Sequence, residues 1–268
     1  MKELIDIQNE RDERNIPIDR VGVKGLRYPV EIQDKENKVQ STVATIALSV
    51  DLPQEYKGTH MSRFIEVLNN HGPRIGVKDI SRIPLELMER LEAARSHVQF
   101  RFPFFIEKKA PATGAAGMMD YFVTFEVEAE GEEIDFIVRV EVPVTTLCPC
   151  SKAISARGAH NQRGIVTYAV RFREPIWVED LIRLVEDCAS SELYSLLKRP
   201  DEKEVTERAY DNPVFVEDLV RNVAARSRAQ ADITWFRVEA ENFESIHNHN
   251  AFAVIEEGED RAKKKPDA

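Results

Sequence analysis

The sequence predicts an α+β fold in which antiparallel sheets are backed by paired helices. Strand-like alternation recurs in both parts of the chain, helical spacing occurs in each part, and 268 residues can bury a large core. Each half is predicted to contain two strands, two helices and two strands in that order. We therefore predict a tandem duplication of one α+β unit, although no residue-level repeat is visible.

The first half begins with a polar segment that proline and glycine interrupt. Residues 1–38 are predicted to form an N-terminal arm that contains at most one strand, over 20–32. Ser62 is predicted to cap the first helix, and Pro84 to begin the second. The other predicted elements are a strand over 41–52, a helix over 63–70 and strands over 98–106 and 120–130.

The second half is predicted to follow the same order, with a long loop after its first strand. The loop, 143–164, is rich in Cys, Gly, Ser and His and has no sustained periodicity. The elements around it are strands over 133–142 and 165–174, helices over 178–190 and 212–228, and strands over 231–241 and 252–255. The predicted domains are an arm (1–38), a first half (39–130), a second half (131–256) and a charged tail (257–268).

Composition excludes several classes of function. A formal charge of −10 argues against nucleic acid as the main partner, because phosphate backbones require clustered cations. Residues 1–14 lack the apolar core of a signal peptide, and we expect no membrane span. Three cysteines do not make a disulfide framework, so a reducing cytoplasm is expected. Sheets of this kind have open edges, which favours assembly of several chains into a ring or barrel.

The loop at 143–164 concentrates the residue types that carry chemistry. Cys148-Pro149-Cys150 and the later His160 form a compact set of soft metal ligands. The alternative is that the cysteines are small apolar side chains at a strand end. The polar residues around them argue against that alternative, because such a loop makes a poor core. They are Ser151, Lys152, Arg157, Asn161, Gln162 and Arg163.

Further ligands must come from elsewhere in the chain, because a catalytic zinc-type site has three or four protein ligands. His247 and His249 project to one side of an extended chain, although the same residues are equally typical of a polar surface turn. Most of the carboxylates in the helical second half are expected to form a solvated face. Cys188 shares a helix face with apolar residues and is expected to pack in the core.

Longer motifs resemble one family. The run 143–152, the segment Gly158-Ala159-His160-Asn161-Gln162-Arg163 and the stretches 197–203, 216–218 and 244–249 are similar to the prokaryotic type IB GTP cyclohydrolases. The resemblance implies a tunnelling fold, duplicated within one chain and assembled as a homotetramer. It also implies conversion of GTP and water into 7,8-dihydroneopterin triphosphate and formate, which leads to tetrahydrofolate.

The resemblance also implies roles for individual residues. Cys148, His160 and His247 would be ligands of Mn²⁺, Fe²⁺ or Zn²⁺, with Glu202 as a further, carboxylate ligand. Glu217 resembles the carboxylate that anchors the purine. Cys150 would lie near the metal, and we count it with Cys148 as a catalytic candidate. The candidates for binding the triphosphate are Lys152, Arg157, Arg163, Lys198 and Arg199.

Three alternatives stay open at this point. An archaeal-type cyclohydrolase would form a cyclic phosphate of dihydroneopterin. Another tunnelling-fold enzyme, such as a nitrile-forming reductase, would use Cys148 as a nucleophile. A structural zinc module would show closed coordination by four ligands and no binding of GTP. Metal content and analysis of the product distinguish these alternatives.

Overall fold

The computed structural model describes residues 7, 8, 10–72 and 77–258, with the backbone alone for 77 and 78. The first residues of the predicted arm and most of the predicted tail therefore lie outside the described residues. No helix in the described part of the chain is long and apolar enough to cross a membrane.

The described residues form an α+β structure with antiparallel strand pairing, as predicted. The strands are β1 (Ile18–Asp34), β2 (Lys38–Leu52), β3 (Arg95–Lys109), β4 (Ala116–Glu130), β5 (Glu133–Leu147), β6 (Asn161–Phe172), β7 (Ser191–Glu192), β8 (Ile233–Asn242) and β9 (Ala251–Gly258). The helices are α1 (Met61–His71), α2 (Val77–Ile80), α3 (Ile83–Leu91), α4 (Pro149–Ile154), α5 (Val178–Glu186), α6 (Arg199–Asp211) and α7 (Val216–Arg228).

The first of two compact units contains the chain up to Phe102 together with Thr124–Ile137. In this unit β1 pairs with β2 along almost its whole length, and β2 pairs with the first part of β3. Helices α1 and α3 contact each other, and α3 contacts β2. Alternate residues of β2 are buried, as period-two patterning requires. They are Ala44, Ile46, Leu48, Val50 and Leu52.

The second unit contains Pro103–Val123 and the chain from Val138 onward. Its antiparallel strands follow the order β5-β6-β8-β9, and the short β7 also pairs with β5. Helix α7 contacts β8 and β9, and α5 contacts α7 and β6. Buried residues of β6 and α7 belong to the core of this unit. They are Val166, Tyr168, Val170, Leu219, Val220 and Val223.

Two local predictions are wrong, and one helix is not evident from the sequence. Ser62 does not cap α1, because that helix begins at Met61 after His60, and the cap has no side-chain hydrogen bond. The segment 143–164 is not one loop. It contains the end of β5, all of α4 and the start of β6. Helix α4 can form here because Pro149 occupies a position in its first turn, where the missing N–H of proline costs nothing. Helix α6 was not predicted as a separate element, since its sequence is almost entirely polar.

The two units divide the chain differently from the predicted halves. Strands β3, β4 and β5 each contribute residues to both units. Residues 18–34, which were assigned to the arm, form the long strand β1 of the first unit. The predicted strand within that arm is therefore present and longer than expected.

Candidate functional site

Cys148 and His160 lie directly opposite each other at the end of the β5–β6 hairpin. The last regular pair of the hairpin is Leu147 and Asn161. One step further, the N–H of Cys148 donates to the carbonyl of His160 at 3.1 Å. Residues opposite each other in antiparallel strands have Cβ atoms about 4.5–5.5 Å apart. The fold therefore pairs the backbones of Cys148 and His160, so that their Cβ atoms lie on the same face at this end of the hairpin.

Helix α4 begins at the same point and fixes the thiol. Cys148 is its N-cap residue, and Sγ accepts a hydrogen bond from the N–H of Ser151 at 3.4 Å. Ser151 Oγ donates to the carbonyl of Cys148 at 3.0 Å and accepts from the N–H of His160 at 3.2 Å. Ser151 thus joins the two candidate ligands through their backbones. Cys150, in the first turn of α4, is exposed.

The segment that follows β8 reaches the ring of His160. The N–H of Phe243 donates to the carbonyl of Arg163 at 2.9 Å, which extends the β6–β8 pairing by one residue. Ser245 Oγ then lies 3.5 Å from Nδ1 of His160, and Glu244 Oε2 lies 4.0 Å from the same atom. A segment distant in sequence is therefore placed beside the hairpin.

His247 continues this segment and is exposed. Its ring stacks on that of His249, with centroids 5.1 Å apart and planes 16° apart. Within the described residues, no three His, Cys, Asp or Glu side chains are grouped closely enough to hold a metal ion. Among the described residues, the backbones of Cys148 and His160 are therefore paired, and neither His247 nor Glu202 completes a group of three ligands with them.

Glu202 lies at the exposed beginning of α6 with Lys198 and Arg199. The buried side chain of Asp201 holds this end of the helix. Its carboxylate accepts hydrogen bonds from the N–H groups of Ala112, Thr113 and Lys198 at 2.8–2.9 Å. Burial alone would raise the pKa of Asp201, but these bonds outweigh it and lower the pKa to about 2.

The other end of α6 contacts α4. The ammonium group of Lys152 donates to the carbonyl of Tyr210 and lies over the Tyr210 ring, 4.3 Å from its centroid. Lys152 therefore joins the two helices in this structure. Tyr210 follows Glu202 by about 12 Å along the helix axis, at 1.5 Å per residue.

Glu217 lies in the first turn of α7 and is exposed. The chain just before α7 is tied to the hairpin, because the N–H of Val214 donates to the carbonyl of Leu147 at 3.1 Å. Leu147 immediately precedes Cys148. The start of α7 is thereby placed next to the strand end that carries the thiol.

The two other predicted cations differ in their surroundings. Arg157 is exposed in the turn after α4. Arg163 is exposed on β6 and lines an open pocket of about 450 Å³, in which Asp120, Glu141 and Tyr194 are further polar side chains. This pocket belongs to the second unit.

Gln162, Glu244 and Ser245 contact His160 and were not among the predicted site residues. Gln162 Oε1 lies 3.0 Å from Nδ1 of His160. A signal for Gln162 exists in the sequence, since residues two apart on an extended chain point to the same side. For Glu244 and Ser245 no local pattern is informative, because the β6–β8 register alone brings them to His160.

Comparison with solved structures defines the class of fold. Uricase from Arthrobacter globiformis superposes with a TM-score of 0.53 at 9% identity, over 93% of this chain and 96% of that chain. Urate oxidase from Bacillus sp. TB-90 gives a TM-score of 0.52 at 6% identity, over 90% and 99% of the two chains. These enzymes have the tunnelling fold, and at such low identity the similarity concerns the fold alone.

The particular family follows from sequence. The chain belongs to the family described as type I GTP cyclohydrolase folE2, whose model matches residues 4–253. A protein of Akkermansia muciniphila named GTP cyclohydrolase FolE2 is 66% identical over 259 residues, which cover 96% of this chain and 98% of that protein. One of the same name from Geotalea uraniireducens is 55% identical, over 94% and 93% of the two chains. The resemblance that the motifs indicated is confirmed, and the reductase and archaeal-type alternatives are not favoured.

Proposed function

We propose that this protein is a GTP cyclohydrolase, which hydrolyses GTP at guanine C8 to give 7,8-dihydroneopterin triphosphate and formate. The observation that carries the proposal is the family match, which spans residues 4–253 and so includes every candidate site residue. The backbone pairing of Cys148 with His160 supports the proposal, because it places a thiol and an imidazole at the same end of the hairpin.

A divalent metal ion, Mn²⁺, Fe²⁺ or Zn²⁺, is the proposed cofactor. The donor chemistry of the hairpin end fits such an ion, since thiolate and imidazole suit Zn²⁺ and Fe²⁺, and a carboxylate admits Mn²⁺. Cys148 and His160 would hold the ion together with His247, whose segment reaches His160 through Ser245. Glu202 is included as a ligand on the family resemblance. When bound, the metal would supply Lewis acidity and lower the pKa of a water molecule toward neutrality.

Glu217 is the proposed anchor for guanine. An ionised carboxylate accepts two hydrogen bonds, which match N1–H and the 2-amino group of guanine. Adenine would leave that carboxylate unpaired and would be rejected. The tie between Val214 and Leu147 supports this role, because it places the start of α7 beside the end of β5.

Cationic side chains are proposed to hold the triphosphate. Arg157, Lys198 and Arg199 are exposed, and Arg163 lies at an open pocket. Lys152 would have to leave the Tyr210 carbonyl to reach a phosphate. Binding of a phosphate by Lys152 would therefore break this contact between α4 and α6. Cys150 is exposed in the first turn of α4 and is proposed to act close to the metal.

We propose further that the fold is a tandem duplication and that the protein forms a homotetramer with a barrel-like core. The similarity to tunnelling-fold uricases and the family membership support this proposal. A reducing cytoplasm is the proposed compartment, because the three cysteines are free thiols.

The test combines turnover with metal analysis. Purified protein loaded with Mn²⁺, Fe²⁺ or Zn²⁺ is incubated with GTP, and formate is measured together with the neopterin fluorescence that appears after oxidation. We expect both products from the wild type. Turnover should fall by roughly 100-fold or more in Cys148→Ala and His247→Ala, since each change removes a proposed metal ligand and loss of a ligand's hydrogen-bond partner alone costs about 10–100-fold.

The matched control is His71→Ala, which removes a histidine of the first unit that is paired with Glu86 and should retain activity. No formate with any of the three metals would contradict the proposed function. Full activity in His247→Ala would remove that residue from the site. Product analysis that finds a cyclic phosphate would assign the archaeal-type reaction instead.

A further inference from the structure

Gln162 forms a buried link between His160 and the hairpin. It pairs with Thr146 across β5 and β6, so the two side chains lie on the same face. Thr146 is fully buried, and Gln162 is 7% exposed. The amide Nε2 of Gln162 donates to Thr146 Oγ1 at 2.9 Å, and its Oε1 lies 3.0 Å from Nδ1 of His160.

The orientation of this amide determines where the proton of His160 resides. An amide Oε1 can only accept a hydrogen bond, so the ring nitrogen that faces it must be the protonated one. A neutral imidazole carries one N–H and one lone pair. With the proton on Nδ1, the lone pair of His160 is on Nε2, the nitrogen that points away from Gln162.

We propose that Gln162 is a positioning residue that holds His160 in the Nδ1–H tautomer and presents Nε2 as the metal-binding atom. The proposal rests on the proposed function in so far as it takes His160 to be a ligand. Metal-binding histidines generally donate their other ring N–H to a fixed acceptor, which sets both the tautomer and the orientation of the ring.

Two other oxygens face the same nitrogen. Ser245 Oγ lies at 3.5 Å and Glu244 Oε2 at 4.0 Å from Nδ1 of His160, against 3.0 Å for Gln162. A separation of 4.0 Å is beyond hydrogen-bond distance, and 3.5 Å is at its limit. The bond to Gln162 is also better shielded from water, since Ser245 is exposed and Gln162 is buried. Gln162 is therefore the acceptor that sets the tautomer and the orientation of the His160 ring.

Two substitutions separate this role from packing. Gln162→Met keeps the length of the side chain but removes the acceptor. Gln162→Glu keeps an acceptor toward Nδ1, and Thr146 Oγ1 can reverse to donate to it, because a hydroxyl both donates and accepts. The control is the same substitution at another glutamine, Gln99→Met. Gln99 lies on β3 of the first unit, where it pairs with Ala47 of β2, and it is distant from His160 in sequence.

The primary measurement uses metal-free protein and does not depend on turnover. Histidine labelled with ¹⁵N is observed through long-range ¹H–¹⁵N correlations at about pH 8.5, above the range in which an ordinary imidazole is protonated. His160→Gln identifies the signals of His160. We expect the Nδ1–H pattern in the wild type, Gln162→Glu and Gln99→Met. In Gln162→Met we expect the Nε2–H pattern or an average of the two tautomers.

The second measurement is affinity for Zn²⁺, determined by competition with a chelating dye. Loss of the bond should weaken binding roughly 10–100-fold in Gln162→Met, with recovery in Gln162→Glu. An Nε2–H ring in the wild type would overturn the proposal. An unchanged Nδ1–H ring in Gln162→Met would also overturn it, because Glu244 or Ser245 would then be the acceptor that fixes the tautomer. Absence of GTP turnover with the expected tautomers would instead contradict the proposed function alone.

Discussion

At the scale of single residues, Cys188 and Cys150 illustrate how burial separates side chains of the same type. Cys188 is 3% exposed on α5's C-terminal side, and its thiol donates to the carbonyl of Leu184 at 3.1 Å. Burial raises the pKa of Cys188 to about 11. Cys150 is exposed. The predicted burial of Cys188 is confirmed, although the residue lies in the turn after α5 and not on a face of that helix.

This difference predicts selective alkylation. Only the thiolate is nucleophilic, so at pH 8 almost none of Cys188 should react with iodoacetamide in the folded protein. We expect Cys150 to be modified first, as measured by peptide mass spectrometry over time in metal-free protein. Unfolding in guanidinium should make Cys188 as reactive as the others. Equal labelling rates for Cys150 and Cys188 in the folded state would contradict the burial described above.

At the scale of elements, the strand pairings of β6 position the site, and only part of this could be predicted. The strands and helices with clear periodicity were expected, because alternation and helical spacing are local signals. Helix α4 was missed because it has only six residues and no buried ones. The β6–β8 register was also missed, since pairing between strands distant in sequence leaves no local pattern, and this register is what brings Ser245 to His160.

Gly164 provides a test of that register. A Cβ at this position would lie 2.6 Å from Oδ1 of Asn242 and 2.8 Å from the backbone carbonyl of Glu241, so β8 would have to shift. We expect Gly164→Ala to cost about 1–3 kcal/mol of stability, as overpacking usually does. It should also weaken Zn²⁺ binding, because the shift moves the segment that begins at Phe243.

Guanidinium denaturation and chelator competition provide the two measurements. Thr167→Ala is the matched control, since it changes a half-buried residue of the same strand. It should leave the affinity for Zn²⁺ unchanged. If Gly164→Ala kept both wild-type stability and wild-type affinity, the close approach of β6 to β8 would not be needed to place the site.

At the scale of the whole molecule, the sequence motifs name candidate site residues, whereas the pattern of strands and helices does not mark the two compact units. Cys148 and His160 could be grouped from sequence because they lie close together in one polar segment, whose ends the structure pairs as β5 and β6. Glu202 and Glu217 came only from the family resemblance, since polar helix starts are common and carry no ligand signal. The two units could not be predicted, because β3, β4 and β5 each divide between them and no composition change marks the division.

Metal binding should stabilise the folded chain as a whole if the proposed ligands assemble. An ion that binds only the native state adds RT ln(1 + [L]/Kd), or about 2.7 kcal/mol at a hundredfold excess over Kd. We expect Mn²⁺ or Zn²⁺ to raise the thermal midpoint of the wild type by several degrees, and a chelator to reverse the change. Cys148→Ser should abolish the metal-induced increase in the thermal midpoint, because a neutral hydroxyl is a weaker ligand than a thiolate. Cys188→Ala should lower the thermal midpoint of the metal-free protein but keep the metal-induced increase. Differential scanning fluorimetry across a metal titration measures all four cases, and an equal increase in Cys148→Ser would show that the stabilising ion binds away from the β5–β6 hairpin.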